Sequence, residues 1–288
     1  MITSDKWIET KEVTKMYSSK IVLNKVDLKL EKGVTLIFGK NGSGKSTLLS
    51  IIEGLNLPTS GTVKVFGMDP VKNYNCLTRK IACLPERATV YGDDKVKEFF
   101  KQYFDFNGHT DSTFREISSI FEVEPLMNVK FSKLSLGEMQ LVLLTAILST
   151  EREAYILDEP NSNLDQNNRI RLWKLVYRMA QKGKKFLIVS HLPDEVVDIA
   201  DEILFFKSGE LFSKKSPQDY WLNKNKIYKI MSLNPDILIQ KLSDLKPEKV
   251  KNGIRVKGFG LGEILGSLQN DELRKIFAIE TEREDNEI

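Results

Sequence analysis

Residues 39 to 47 read GKNGSGKST, and this stretch decides the fold. It follows the apolar run VTLIF and precedes LLSIIEGL, so a strand, a glycine-rich turn and a helix succeed one another. Gly39, Gly42 and Gly44 permit a tight turn in which successive amides point at one place, beside a helix N-terminus that favours anions. The pattern predicts a phosphate-binding loop; the alternative is a strand-to-helix turn with a solvated lysine.

The polar side chains of this loop have separate predicted roles. Lys45 reaches the β- and γ-phosphates of a nucleotide, Ser46 offers a hard oxygen to Mg²⁺, and Thr47 adds a hydroxyl to a phosphate. Asn41 and Ser43 complete the predicted set of nucleotide-binding residues in the loop.

Two adjacent carboxylates end a second apolar strand, in AYILDEP at residues 154 to 160. The end of a buried strand is where a parallel sheet presents ligands, so we expect both to face the phosphate loop. Asp158 is the predicted Mg²⁺ ligand, and Glu159 is the residue predicted to polarise an attacking water. An acidic cap on the following helix is the alternative, but it explains neither Pro160 nor the preceding apolar strand.

Strand and helix patterns alternate over most of the chain, which predicts an α/β fold with a mostly parallel sheet. Residues 1 to about 85 alternate short β-branched runs with turns. In residues 86 to 150 the apolar residues recur every three or four positions, which predicts a helical insert. Its aromatic residues Phe99, Phe100 and Tyr103 are more typical of a hydrophobic core than of an interface. The last 65 or so residues begin Lys-rich, continue with mixed short elements and finish in ETEREDNE, a tail predicted to be frayed.

Composition sets the broad class. A chain of 288 residues with 41% hydrophobic and 29% charged residues is typical of a soluble globular protein with one or two domains. No run approaches the 18 apolar residues of a membrane span, and MITSDKWIETKEV lacks the pattern of a secretory signal, so we expect a cytoplasmic location. The net charge of +3 does not indicate nucleic-acid binding, and Cys76 and Cys83 are predicted to be free thiols.

Several further segments occur in a fixed order around the two motifs. They are Tyr17 ahead of the loop, ACLPE at 82 to 86, LSLGEMQ at 134 to 140, SNLD at 162 to 165, and FLIVSH ending at His191. With these segments the chain resembles the ABC ATPase family, over about residues 7 to 220. The resemblance implies a P-loop NTPase with a RecA-like core, an N-terminal antiparallel β region and a helical subdomain at about 86–150. It assigns 1–223 to one ATP-binding cassette and leaves 224–288 as a C-terminal extension of unknown role.

The resemblance also implies roles for residues outside the loop. Two cassettes close head to tail around ATP, so that Ser135 and Gly137 of the signature segment contact the γ-phosphate of the opposite copy. Taken alone, LSLGE is more typical of an ordinary Ser-capped helix start, and the order and spacing of the segments favour the signature. His191 senses the γ-phosphate, Asp165 belongs to the D-loop, and Tyr17 stacks on adenine. Glu86 stands where most members have Gln and is implied to bind Mg²⁺ or its water.

The chain departs from the family pattern at three positions. Glu86 adds negative charge beside Glu159, which predicts metal binding that depends more on pH. Leu136 replaces a glycine of the signature and is expected to point away from phosphate. Glu138 replaces Gln and puts one of the family's signature contacts in doubt.

The function implied by the resemblance is that of the ATP-hydrolysing subunit of an ABC transporter, with ATP and Mg²⁺ bound. The Pro85–Glu86 pair resembles exporter subunits whose membrane domains are separate proteins. One expected partner is a second copy of the cassette or a paralogous cassette. The other is a separate polytopic membrane subunit, which residues 86 to 103 are expected to contact. The chain is then expected to lie peripherally on the inner face of the cell membrane. The alternative is a cytosolic ABC ATPase that remodels nucleic acid, ribosomes or a protein assembly; one cassette and a short insert favour the transporter, and no nucleic acid is expected.

Overall fold

The computed structural model describes residues 6–31, 33–86, 88, 93–190, 193–221, 226–257, 264–265, 268 and 270–283. Its strands are β1 (Ile8–Tyr17), β2 (Lys20–Leu30), β3 (Val34–Gly39), β4 (Ser60–Val65), β5 (Ile81–Leu84), β6 (Ala154–Asp158), β7 (Lys185–Val189), β8 (Glu202–Lys207), β9 (Glu210–Lys215), β10 (Lys226–Ser232), β11 (Glu248–Val250), β12 (Gly253–Lys257) and β13 (Ile276–Arg283).

The helices are distributed among these strands. They are α1 (Lys45–Ile52), α2 (Tyr74–Leu77), α3 (Val96–Asn107), α4 (Asp111–Phe121), α5 (Leu136–Leu148), α6 (Gln166–Gln181), α7 (Pro193–Val196), α8 (Pro217–Trp221), α9 (Pro235–Lys241) and α10 (Asn270–Arg274). Short 3₁₀ turns occupy Glu124–Leu126, Phe131–Lys133, Val197–Ile199 and Ser243–Leu245.

The central sheet has six strands in the order β5-β6-β7-β3-β8-β9. The first five run parallel, and β9 pairs antiparallel with β8. Strands β6 and β7 are almost wholly buried, as the continuous apolar runs in the sequence predict for a parallel sheet covered on both faces. Because β3 and β6 flank β7, their carboxyl ends lie at one edge of the sheet about 10 Å apart.

The N-terminal region forms a three-stranded antiparallel sheet in the order β2-β1-β4. Its inward residues share one hydrophobic core with α1 and with one face of the central sheet, including Trp7, Val26, Ile51 and Ile156. This core holds α1 against the sheet and so fixes the loop that joins β3 to α1.

The helices α3, α4 and α5 pack on the opposite face of the central sheet. Phe100, Phe104 and Phe121 are buried in their shared core, while Phe99 and Tyr103 are partly buried and pack against it. The prediction that these aromatics belong to the core is confirmed. Their spacing of three and four residues places them on one side of α3, where the edge-to-face pair Phe100–Phe114 joins α3 to α4.

The C-terminal residues form a separate four-stranded antiparallel sheet in the order β11-β12-β10-β13. This C-terminal unit has a hydrophobic core of its own, with Tyr228, Ile230, Leu238 and Ile254 among its buried side chains. It touches the cassette through α6, where Gln166 donates a hydrogen bond to the Ile279 carbonyl oxygen at 3.1 Å.

The predicted fraying of ETEREDNE is wrong for its first four residues. Residues 280 to 283 belong to β13, which pairs along the whole of β10. The ion pair between Lys229 and Glu280 crosses the two strands at 3.2 Å, so the charge that favoured a solvated tail is matched within the sheet. Residues 284 to 288 lie outside the described residues.

The remaining structural expectations concern thiols and membrane spans. Cys76 and Cys83 are both free, as predicted. Within the part of the chain that the structure describes, no helix is both long and apolar enough to cross a bilayer.

Candidate nucleotide-binding site

The loop between β3 and α1 has the backbone geometry of a phosphate cradle. Gly44 has φ 102° and caps the N-terminus of α1, and a β-carbon there would lie 2.7 Å from the Val22 carbonyl oxygen. Gly42 also has a positive φ of 76°. Glycine adopts positive φ angles without strain, which favours it at both positions. At Gly44 the close approach to Val22 also leaves no room for a side chain. The spacing of these two glycines in the sequence therefore follows from the backbone geometry of the loop.

Lys45 is the buried cation of the loop. Its Nζ donates hydrogen bonds to the carbonyl oxygens of Gly39 at 2.6 Å and Lys40 at 3.1 Å. Burial lowers the pKa of Lys45, and the carboxylates of Glu159, Asp158 and Glu86 oppose that shift. The ammonium is therefore held inside the curve of the loop, facing three acidic groups.

The predicted carboxylates meet this lysine at the end of β6. Burial raises the pKa of Asp158 to about 6, with Glu86 and Glu159 adding to the rise, while a hydrogen bond with the Ser46 side chain and the charge of Lys45 oppose it. Ser46 and Asp158, 112 positions apart in sequence, are thus direct neighbours. Like charges this close favour a bound cation.

Glu159 has an unusual backbone. Its φ of 50° lies in the left-handed region that non-glycine residues rarely occupy, and its amide donates to the Val189 carbonyl oxygen at 2.9 Å. Strain of this kind, of order 1 to 3 kcal/mol, recurs at functional sites where the surrounding structure holds it in place. The side chain is buried and lies among the cavity residues.

One cavity of about 330 Å³ collects most of the predicted residues. The described residues that line it are Val22, Asn41, Gly42, Gly44, Lys45, Ser46, Thr47, Glu86, Asp158, Glu159 and Val189. Ser43 lies within the same loop, and its buried Oγ has no hydrogen-bond partner among the described residues.

The chemistry of this cavity fits a nucleotide phosphate chain and Mg²⁺. Phosphate oxygens match the amides of the loop, the Lys45 ammonium and the unsatisfied Ser43 hydroxyl. Ser46, Asp158 and Glu86 offer the hydroxyl and carboxylate oxygens that Mg²⁺ prefers.

Tyr17, predicted to stack on adenine, does not line this cavity. It lies at the end of β1, 47% exposed, and its hydroxyl accepts a hydrogen bond from Asn56 at 2.6 Å. The Lys15 ammonium lies 5.0 Å from the centre of the Tyr17 ring. The ring therefore has accessible surface, although one cation already contacts it.

The signature residues lie away from the cavity, at the N-terminus of α5. The Ser135 hydroxyl accepts a hydrogen bond from the Glu138 amide at 3.2 Å, and Glu138 accepts one from the Ser135 amide at 2.8 Å, forming a capping box. Glu138 therefore has a structural role in starting the helix. Leu136 is 66% exposed beside Ser135, and its orientation towards the phosphate of a second copy stays a prediction.

Gly137 and Asp165 occupy structural positions nearby. A β-carbon at Gly137 would approach the Asn163 carbonyl oxygen to 2.7 Å, so the absence of a side chain lets α5 contact the SNLD segment. Asp165 is the N-cap of α6, where its Oδ1 accepts from the Asn168 amide at 2.8 Å. His191, the predicted γ-phosphate sensor, lies outside the described residues.

A polar network behind the carboxylates was not predicted from the sequence. Ser190 donates to the Asn161 side chain at 3.4 Å, Asn161 donates to Glu195 at 3.3 Å, and Arg169 donates to Glu195 at 2.7 Å. It connects the ends of β6 and β7 to α6. Polar residues directly after buried strands are the signal that could have revealed it.

Comparison with known proteins agrees with this geometry. The profile of the family described as ABC transporter matches residues 23–162. An energy-coupling factor transporter ATP-binding protein, EcfA2 of Lactococcus lactis, is 31% identical over 233 residues, covering 76% of this chain and 80% of that protein. The chain belongs to the ABC transporter ATP-binding protein family. The lipoprotein-releasing system ATP-binding protein LolD of Buchnera aphidicola is 32% identical and is covered over 89% of its length, with 67% of this chain matched.

Solved structures give the same fold. The structure of an ATP-binding subunit of an ABC transporter superposes with a TM-score of 0.69 at 22% identity, covering 75% of this chain and 92% of the other. A dimeric post-hydrolysis state of the cassette MJ0796, bound to ADP and Pi, gives a TM-score of 0.65 at 24% identity over 73% and 98% of the two chains. These likenesses confirm the P-loop NTPase fold class, and family membership makes the chain an ATPase.

Proposed function

We propose that this ATPase powers a transporter as a cytoplasmic, membrane-associated subunit, working as a dimer on a separate membrane protein. The observation that carries the hydrolysis of ATP is the convergence of Lys45, Asp158, Glu159 and Glu86 on one cavity, since one cation facing three carboxylates suits phosphoryl transfer from a metal-bound nucleotide. The coupling to transport is supported by relatives named as ATP-binding proteins of transporters.

The residues of the cavity have different roles in ATP hydrolysis. Lys45 offsets the negative charge of the β- and γ-phosphates, and the amides of the loop orient them. Glu159 positions the attacking water and accepts its proton. Ser46, Asp158 and Glu86 would hold Mg²⁺, which when bound neutralises charge on the phosphate oxygens.

The dimer we propose is head to tail, with Ser135 and Gly137 of one copy facing the phosphate loop of the other. Ser135 and Leu136 are exposed at the start of α5, in a position that a second copy can cover. A solved relative of this fold, MJ0796, forms a dimer bound to ADP and Pi. In the same arrangement Asp165 and His191 act at the shared nucleotide, and Tyr17 stacks on its adenine.

The direction of transport we propose is export, through contacts between residues 86 to 103 and the membrane subunit. Relatives named for export or release support it: a Nod factor export ATP-binding protein of Rhizobium etli and the LolD protein. Of this stretch the structure describes Glu86, Ala88 and residues 93 to 103. The half-buried Phe99 and Tyr103 lie on α3 within it.

Substitution of Glu159 by Gln tests the catalytic assignment. The amide cannot accept a proton, so we expect turnover to fall by at least about 100-fold while nucleotide binding persists and the protein accumulates as a dimer with ATP. Steady-state phosphate release, nucleotide titration and light scattering after gel filtration measure the three quantities. Glu153→Gln, immediately before the same strand, is the matched control, and parent-like turnover in Glu159→Gln would remove Glu159 from the catalytic role.

Co-purification tests the transporter assignment separately. The full chain, tagged and extracted with mild detergent from its native membranes, is expected to bring down one polytopic membrane protein. Recovery of RNA, DNA or ribosomal proteins in place of a membrane protein, with ATPase activity stimulated by nucleic acid, contradicts the proposal.

A further inference from the structure

A second and larger cavity lies where the C-terminal unit meets the cassette. It measures about 840 Å³ and is formed by α4, α6, the end of α10 and the start of β13. We call it the interface cavity. It is separate from the nucleotide cavity, since none of the residues that the structure describes lines both. Its volume is in the range of sites for small organic ligands.

The interface cavity is strongly basic. Its lining includes two carboxylates, Glu116 and Glu122, against five cationic side chains: Arg115, Arg171, Lys174, Arg178 and Arg274. The described residues of the lining therefore carry a formal charge of +3, in a protein whose whole chain carries +3.

The two carboxylates leave much of this charge uncompensated. Arg171 pairs with Glu122 at 2.5 Å and Arg178 with Glu116 at 3.3 Å, but the glutamate side chains are 67% and 50% exposed while the arginines are 34% and 30% exposed. Exposed carboxylates are screened by water, so they offset a half-buried guanidinium weakly. The buried Nε of Arg178 has no hydrogen-bond partner among the described residues.

Lys174 is a partly buried cation of the interface cavity. Its Nζ donates to the carbonyl oxygens of Leu273 at 2.8 Å and Ile276 at 3.5 Å, both in the C-terminal unit, and no ion pair joins it to a carboxylate among the described residues. Burial, then Arg171 and Arg178, lowers the pKa of Lys174 to about 8. An anion in the cavity would therefore relieve a repulsion that the folded chain otherwise retains.

We propose that the interface cavity binds a soluble small molecule that carries a diphosphate or a similar cluster of phosphate charges. Guanidinium groups bind phosphate oxygens in pairs of hydrogen bonds, which suits the three arginines Arg115, Arg171 and Arg178. Arg274 approaches the same space from the C-terminal unit, so the bound anion bridges the unit to the cassette. Ile120 and Ile170 supply apolar surface for the organic part of such a molecule.

Calorimetric titration of inorganic pyrophosphate into the full chain tests the proposal. The titrations use a Lys45→Ala background, so that the phosphate loop does not contribute. We expect one site, with an affinity that falls at least tenfold when the exposed pair Arg115 and Arg274 is replaced by alanine. The matched control removes the same charge from exposed positions outside the cavity, as Arg79→Ala with Lys251→Ala, and is expected to bind as tightly as the background protein.

Modification of lysines locates the site by an independent measurement. A lowered pKa makes Lys174 reactive towards acetic anhydride near pH 8, and mass spectrometry of the full chain with Lys45 intact should show pyrophosphate protecting Lys174. Equal affinity in both double variants, or unprotected Lys174 at saturating pyrophosphate, overturns the proposal. So does binding to vesicles containing phosphatidylglycerol with no binding of pyrophosphate, because the ligand would then be a lipid headgroup. Neither measurement depends on turnover, so their failure is distinct from failure of the proposed transport function.

Discussion

Lys45 and the three carboxylates around it interact electrostatically within one small cavity. Burial lowers the pKa of Lys45, and the charges of Glu159, Asp158 and Glu86 oppose that shift. Burial raises the pKa of Asp158 to about 6, and the Lys45 charge is one of the contacts that oppose the rise. The pKa of Lys45 and the pKa of Asp158 are therefore coupled. Removing the cation leaves three acidic groups facing the site where phosphate binds.

Replacing Lys45 by Ala should abolish nucleotide binding for this reason. The phosphate chain loses its main counter-ion and meets unopposed carboxylates, so we expect affinity for ATP to fall by at least about 100-fold, or about 3 kcal/mol. A fluorescent nucleotide titration measures it. Lys40→Ala, an exposed lysine five residues earlier, is the control. Unchanged affinity in Lys45→Ala would show that phosphate binds elsewhere.

Glu53 predicts a pH dependence of stability. Burial raises the pKa of Glu53 to about 7 from an ordinary value of 4.5; the Asp158 charge adds to the rise, and a hydrogen bond with the Cys83 thiol opposes it. Because the folded state binds this proton more tightly than the unfolded chain, the contribution of Glu53 to stability falls as pH rises from about 4.5 to about 7.

Glu53→Gln should remove the loss of unfolding free energy that Glu53 causes as pH rises. Relative to the parent, the variant should gain unfolding free energy between pH 5 and 7, by about 3 kcal/mol at most and by less where water screens the carboxylate. Urea unfolding at several pH values measures the difference, with the exposed Glu31→Gln as control. A difference that stays constant across this range contradicts the pKa assignment.

At the scale of elements, the start of α5 combines a structural and a proposed functional role. Ser135 caps the helix while also being the residue we propose to face the nucleotide of a second copy. Hydrogen bonds from the Ser135 amide and side chain lower the pKa of Glu138, so the capping box stays intact above the usual pKa of a glutamate and weakens as pH falls through the lowered value.

Ser135→Ala should therefore destabilise the isolated chain by about 1 kcal/mol, the usual cost of losing an N-cap. Thermal unfolding of the full chain measures it, and Ser132→Ala, exposed in the preceding turn, is the comparison. Ser135→Thr retains a capping hydroxyl and should recover most of the loss. If Ser135→Ala is as stable as the parent, the capping box contributes nothing measurable.

The elements also show what the sequence can and cannot predict. Strands such as β6 and β7 were predictable because a covered parallel strand requires a continuous apolar run, and the β3–α1 loop because its glycines are needed at fixed positions. The strand formed by Ile276–Arg283 was not, since its charged residues resemble a solvated tail and its pairing with the distant strand β10 is not visible in the local sequence. The capping of α5, in contrast, could be predicted, because Ser135 and Glu138 have the spacing of a capping box.

At the scale of the whole molecule, the described residues join the C-terminal unit to the cassette by polar contacts at two places. One is the face of α6, where Gln166 and Lys174 donate to carbonyl oxygens of the unit. The other is the buried Tyr228 hydroxyl, which donates to Asp198 in the turn just before β8. Since the unit has its own hydrophobic core, these contacts fix its position more than its fold.

Tyr228→Phe should therefore loosen the docking of the unit while leaving both cores folded. The ring is retained, but the buried Asp198 loses the hydrogen bond from Tyr228, and such a bond contributes about 0.5 to 1.5 kcal/mol. Hydrogen exchange followed by mass spectrometry should show faster exchange in peptides spanning Val197–Ile199 and β10, with β6 and β7 unchanged. Tyr74→Phe, an exposed tyrosine on α2, should leave exchange at parent rates. If Tyr228→Phe also leaves exchange at these contacts unchanged, the position of the unit is set by the α6 face alone.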